Sequence, residues 1–192
     1  RSEDKIARRM TYKELSALVS RIQQALKAAG VGVGDRVAAM LPNMPESIAV
    51  MLATTSLGAI FSSCSPDFGE RGVLDRFGQI EPKVLFASDG YWYAGKRLNI
   101  LEKLRPIAQG LTATGTIVIV DMLGDAQTVA AALPKAQTLS DFTVPFAGKA
   151  LEFTRLPLDH PIYILYSSGT TGVPKCIVHG QGVLLKHLAE HR

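Results

Sequence analysis

The chain has 192 residues, 47% hydrophobic and 20% charged, with a formal net charge of +4 and a pI near 9.1. That composition is ordinary for a globular protein with a sizeable core, and no apolar run is long or continuous enough for a membrane helix. The basic residues are scattered with few aromatics between them, which argues against a nucleic-acid surface and suits small anionic ligands.

In chain order, TYKELSALVSRIQQALKAAG (residues 11–30) reads as an amphipathic helix. Thr11 and Glu14 have capping-box spacing, Leu15, Leu18, Val19, Ile22 and Leu26 share one face, and Gly30 ends it. GVGD is a turn, and RVAAML (36–41) an apolar run of strand length. Pro45 opens a second helix over 46–57, with Asn43 as its candidate cap. AIFSSC is a second strand, SPDFGERG a loop, VLDRFGQI a helix and KVLFA a third strand. KRLNILEKLRPIAQ reads as another amphipathic helix, and TIVIV as a fourth strand because β-branched residues fill it. Residues 121–158 read as irregular, with one short helix near 126–133. PIYILYS and CIVH supply two more strands, and a last helix spans 182–191. Apolar strands alternating with helices predict an α/β fold: a mostly parallel sheet covered by helices on both faces.

Cys64 and Cys176 stand in no metal-ligand spacing. Free thiols fit a reducing compartment, so a cytoplasmic location is expected. The first residue is Arg1, and the last residues stop inside a helical pattern without a glycine cap. The chain therefore reads as a piece of a longer protein.

The most informative stretch is YSSGTTGVPK, residues 166–175. It sits between two apolar runs and cannot itself pack a core. Glycines let backbone approach a ligand, successive N–H groups cradle anionic oxygens, hydroxyls add donors and Lys175 adds a point charge. These components suit a polyphosphate. The stretch is not a Walker A motif: Gly169 and Gly172 are too close, and Cys176 follows the lysine where Ser or Thr would hold magnesium.

The order Tyr, two hydroxyl residues, Gly-Thr-Thr-Gly, one variable residue and Pro-Lys resembles the phosphate loop of the adenylate-forming superfamily. That superfamily comprises acyl-CoA synthetases, luciferases and the adenylation domains of peptide synthetases. GVGVGDRVAAMLPNMPESIAVMLATTSLGAI is similar to the early region of the same superfamily, and the likeness covers nearly the whole chain. SSCSPDFGERGVLDRFGQIEPKVLF, DGYWYAGK, YSSGTTGVPKCIVHG and LLKHLAEH resemble the acetoacetyl-CoA synthetase subfamily within it.

The resemblance implies that residues 1–192 are an incomplete N-terminal portion of the AMP-binding domain. It implies a ligase using acetoacetate, ATP with Mg2+, and coenzyme A. A carboxylate would attack the α-phosphate of ATP, pyrophosphate would leave, and the CoA thiol would displace AMP. Ser167, Ser168, Gly169, Thr170, Thr171, Gly172 and Lys175 would hold the ATP phosphates, Lys175 bracing either a phosphate or the loop. Phe68 and Gly69 would lie beside the CoA adenine, and Lys96 or Arg97 near its phosphates. An ordinary core aromatic at Phe68 and a solvated helix start at Lys96 and Arg97 are the competing readings. His179 reads as a satisfied polar residue, the two cysteines as packing, and Tyr91, Trp92 and Tyr93 as a core or rim cluster. The resemblance puts the catalytic lysine, the magnesium carboxylate and the acyl pocket beyond residue 192, and the isolated chain is expected to be inactive. A ligase for acetate or propionate, and a non-catalytic nucleotide-binding module, are the alternatives; neither nucleic acid nor membrane is an expected partner.

Overall fold

The computed structural model describes residues 5, 7–167 and 172–191. The main sheet is built from β1 (Arg36–Met40), β2 (Ile60–Cys64), β3 (Val84–Ser88), β6 (Thr116–Val120), β7 (Ala136–Thr138), β8 (Pro161–Tyr166) and β9 (Cys176–Gly180). Its order is β7-β6-β3-β1-β2-β8-β9. All pairs are parallel except β8 with β9, so the mostly parallel sheet expected from the sequence is present. β4 (Gly90–Tyr93) and β5 (Lys96–Asn99) form a separate antiparallel hairpin.

Strand alternation sends side chains to two cores. Val37, Ala39, Phe61, Val84 and Phe86 face α1 (Tyr12–Ala28), α2 (Pro45–Ser56) and α6 (Leu139–Thr143). Ala38, Met40, Leu85, Ala87 and Ile119 face α3 (Glu70–Ile80), α4 (Leu101–Gly110) and α5 (Ala126–Ala131). The central strands are apolar on both faces because both faces are covered. The last helix, α7 (Gly182–Glu190), follows β9 and buries none of its residues. No helix among the described residues is long and apolar enough to cross a membrane.

Helix α1 begins as its spacing predicts. The Thr11 hydroxyl accepts the Glu14 N–H, and the Glu14 carboxylate accepts the Thr11 N–H at 2.6 Å. Helix α2 differs: its N-cap is Met44 without a side-chain bond, Pro45 supplies the helical φ, and Asn43 does not cap it.

The helix expected over 96–109 is also different. Ala94 and Gly95 both take positive φ and make a two-residue turn, so residues 96–99 pair back onto 90–93. Asn99 then accepts the Leu101 N–H at 2.8 Å, and α4 starts there. The reading of Lys96 and Arg97 as a helix start is therefore corrected: they stand on a strand. Residues 121–158 also contain β7 and α6, which the sequence did not announce. Thr138 caps α6 by accepting the Asp141 N–H.

Candidate functional site

Six parallel strands point their carboxyl ends at one edge. After β2 the chain turns back over β1 to reach β3, whereas after β8 it continues outward to β9. The connections leave β2 and β8 in opposite directions, and such a divergence at the carboxyl edge opens a crevice where α/β sheets bind ligands. A cleft of about 670 Å3 lies there, walled by Ser63, Cys64, Ser65 and Phe68 on one side and Leu165 and Tyr166 on the other.

The glycine-rich segment leaves β8 at this point. Ser167 donates its backbone N–H to the Lys175 carbonyl at 3.0 Å, closing the base of the β8–β9 hairpin. Ser168, Gly169, Thr170 and Thr171 lie outside the described residues. Gly172 has φ +149° and open space where a Cβ would stand, so only glycine holds this conformation without strain. Val173 and Lys175 are exposed, and the Pro174 carbonyl accepts a hydrogen bond from Gln79 at 2.9 Å. The hairpin tip is thus open to solvent on its described flank.

The loop after β2 carries Phe68 and Gly69. Ser65 donates its hydroxyl to the Asp67 carboxylate at 2.9 Å, and Gly69 is the N-cap residue of α3. Phe68 is 38% exposed and carries the Arg76 guanidinium 4.1 Å from its ring centroid. It is therefore a cleft-wall aromatic rather than a core one. Arg76 also lies 5.7 Å from the Tyr166 ring, and among the described residues it is the one charged side chain lining the cleft. Sequence reasoning passed over Arg76 and Tyr166; a cation on the otherwise apolar inward face of α3 was the available signal.

Lys96 and Arg97 lie on β5, away from that cleft. Arg97 pairs with Asp125 at 2.5 Å and reaches the Leu123 carbonyl at 3.3 Å. The same 121–125 loop is tied from below by Asp89, a fully buried carboxylate at the end of β3. Asp89 accepts the N–H groups of Met122, Leu123 and Asp125 at 2.7–3.1 Å. Burial, partly offset by these bonds, pushes its carboxyl above the ordinary range. The structure brings Ser167, Gly172 and Lys175 together on one hairpin and Phe68 and Gly69 to the neighbouring strand end, but it keeps Lys96 and Arg97 on a separate hairpin.

Two thiols and one phenol near the edge stay neutral. Burial pushes the Cys64 thiol up to about 12, against the pull of Arg76 and Lys103, and it raises the Cys176 thiol as well. Neither is a thiolate nucleophile at neutral pH. Both are free: Cys64 is buried in the core beneath α3, and Cys176 is half-buried against that core. Burial likewise pushes the Tyr166 hydroxyl up to about 12; it accepts a hydrogen bond from Ser62 at 3.0 Å. His179 is half-buried and tilts against Tyr163 at 5.2 Å. Among the described residues no group of three or more His, Cys, Asp or Glu is placed to hold a metal ion.

A family model described as AMP-binding enzyme matches residues 3–192. The chain is 61% identical to acetoacetyl-coenzyme A synthetase of Rhizobium meliloti (strain 1021), over all of this chain and 29% of that protein. It is 44% identical to acetoacetyl-CoA synthetase of Gallus gallus, over 95% of this chain and 28% of that one. The solved structure of acetoacetyl-CoA synthetase from Streptomyces lividans superposes with a TM-score of 0.89 at 38% identity, covering 98% of this chain and 28% of its own. The chain thus spans less than a third of the length of these relatives.

Proposed function

Because the chain belongs to the AMP-binding enzyme family, we propose that it is the nucleotide-gripping part of an acetoacetate–CoA ligase. The complete protein converts acetoacetate and ATP to acetoacetyl-AMP and pyrophosphate. It then transfers the acetoacetyl group to the thiol of CoA, releasing AMP. The observation that carries this reading is the β8–β9 hairpin: its base is closed by the Ser167–Lys175 bond, and it rises beside a cleft where two strand connections diverge. The 61% identity to a protein named for this reaction supports the substrate.

The roles follow from charge. An anionic carboxylate must approach a polyanionic nucleotide, so fixed donors are needed where negative charge gathers. Ser167, Ser168, Gly169, Thr170, Thr171, Gly172 and Lys175 supply those donors for the ATP phosphates. The open cleft beside Phe68 and Gly69 receives CoA, with Lys96 and Arg97 on β5 as flanking cations for its phosphates. Magnesium accompanies the nucleotide in this reading, held by residues other than those described. In this reading residues 1–192 are an incomplete N-terminal portion of the AMP-binding domain, and the two free cysteines fit a reducing cytoplasm.

The test is pyrophosphate release by the complete protein with acetoacetate, acetate, propionate and 3-hydroxybutyrate in turn. Acetoacetate should give the highest kcat/KM by at least tenfold. Equal rates on acetate would replace the substrate, and no release with any acid would leave a binding module.

A further inference from the structure

The loop that presents Phe68 is held more firmly than its length requires. Residues 65–69 join β2 to α3, and side chains from three other places converge on them. Within the loop, Ser65 bonds Asp67 through its hydroxyl at 2.9 Å and receives the Asp67 N–H at 3.2 Å. From α3, Arg76 covers one face of the Phe68 ring while donating to the Gly72 carbonyl at 2.7 Å. From β4, the Tyr91 hydroxyl faces the Asp67 carboxylate; burial first, and then that carboxylate, push it up to about 12, so it remains a donor. From α4, Lys103 donates its ammonium to the Pro66 carbonyl and lies 5.8 Å from the Tyr91 ring.

Lys103 is the unexpected member. It makes no ion pair within 4 Å among the described residues, although burial disfavours its charge and lowers its pKa. The Asp67 carboxylate and the Tyr91 ring support its charge at longer range, but its hydrogen bond goes to one backbone carbonyl, and a neutral side chain would avoid the desolvation. Lys103 does fix that carbonyl in space. The ring it fixes is 38% exposed, backed by a guanidinium on one face. An aromatic face held rigid at the mouth of a cleft suits the face of a planar heterocycle.

We propose that Lys103 is a positioning residue for the acyl-acceptor step: by holding Pro66 it fixes the Phe68 ring as a shelf on which the heterocycle of the acceptor stacks. The inference rests on the reading of the complete protein as a CoA ligase. The lysine does not line the cleft beside the β8–β9 hairpin. Its removal therefore acts on the acceptor alone, and only on an acceptor that has a ring.

The experiment uses the complete protein as wild type, Lys103→Met and Lys103→Arg. Three quantities are measured: acetoacetate-dependent exchange of pyrophosphate into ATP, thioester formation with CoA, and thioester formation with phosphopantetheine, which has the thiol arm but no adenine. Lys103→Met should raise the KM for CoA roughly tenfold, within the range of one lost ring-stacking contact. It should leave exchange, kcat and the constants for phosphopantetheine unchanged, and Lys103→Arg should restore the CoA value. Phe68→Leu should give the same CoA-selective loss, and the double variant should add nothing to it. An equal loss on phosphopantetheine, a fall in exchange, an unchanged KM for CoA, or additive single variants would overturn the proposal. A wild type that shows no exchange with any short-chain acid would instead overturn the ligase reading, and this inference with it.

Discussion

Ser167 and Lys175 are joined through their backbones, N–H to carbonyl at 3.0 Å, although seven residues separate them. The bond makes the hairpin tip an anchored unit, with both ends set by the paired strands β8 and β9. It also leaves the Lys175 side chain free for another task, since that residue is exposed and makes no ion pair among the described residues.

Lys175→Met should therefore weaken the reaction without weakening the fold. A charge-assisted hydrogen bond is worth about 1.5–3 kcal/mol, or roughly 10–100-fold in rate. Pyrophosphate exchange by the complete protein should fall by that factor while Tm stays within about 1 °C. A lowered Tm with full exchange would make the lysine a brace for the hairpin instead.

Gly90→Ala should disturb the β4–β5 hairpin. A Cβ at Gly90 would meet the Leu98 carbonyl across the hairpin and the Leu123 side chain. Backbone cannot yield as a side chain can, so the strands must part, at a cost of about 1–3 kcal/mol. Lys96 and Arg97 ride on the displaced strand. The KM for CoA should rise several-fold while exchange is kept; thermal melts and both half-reactions check this.

Asp89→Ala should be among the most damaging substitutions outside the hairpin. It strands the N–H groups of Met122, Leu123 and Asp125, which have this carboxylate as their acceptor. Leaving a buried donor unsatisfied costs about 1–3 kcal/mol, so a loss of at least about 3 kcal/mol is expected from urea unfolding. Asp125, the partner of Arg97, moves with the loop. A loss below about 1 kcal/mol would show that the loop holds itself.

Asp35 gives the expected acid sensitivity. Burial alone would raise its pKa, but the Lys83 ammonium at 2.9 Å, the Gly32 N–H at 2.8 Å and the nearby Arg36 together lower it. A carboxyl depressed by folding stabilises above its unfolded value, near 3.9, and loses that contribution as pH falls through the folded value. Wild type should exceed Asp35→Asn in urea midpoint at pH 7, and the gap should close below about pH 3.9. A gap that persists into acid would assign the effect to shape rather than charge.

Much of the architecture was legible because burial leaves a strong pattern. TIVIV and KVLFA read as strands since a sheet covered on both faces demands unbroken apolar runs. Thr11 and Glu14 marked the start of α1 because the capping box is a local bond. The β4–β5 hairpin was hidden for local reasons too. Its turn is Ala94-Gly95 rather than the usual Asn-Gly or Asp-Gly, and GYWY looks like a packing cluster. Asn99 was the overlooked mark, the residue that starts α4 and so ends the apparent helix. Strand β7 has three residues, too few for a period to show. In the candidate site, the hairpin segment announced itself by composition. Asp89, Arg76 and Lys103 did not, because their roles depend on neighbours 33 to 37 residues away or on an aromatic face, which spacing alone does not encode.

The pairing of Leu165 with Ile177 and of Tyr166 with Cys176 has a consequence for how such genes can diverge. Side chains alternate across a strand, so one residue gained or lost between the two partners slides the register and turns β9 over. Cys176 would leave its place against the helix layer and Ile177 would take it. A substitution within that stretch acts where it stands, as at Gly172, whereas a change of length that moves the register is felt along the whole of β9.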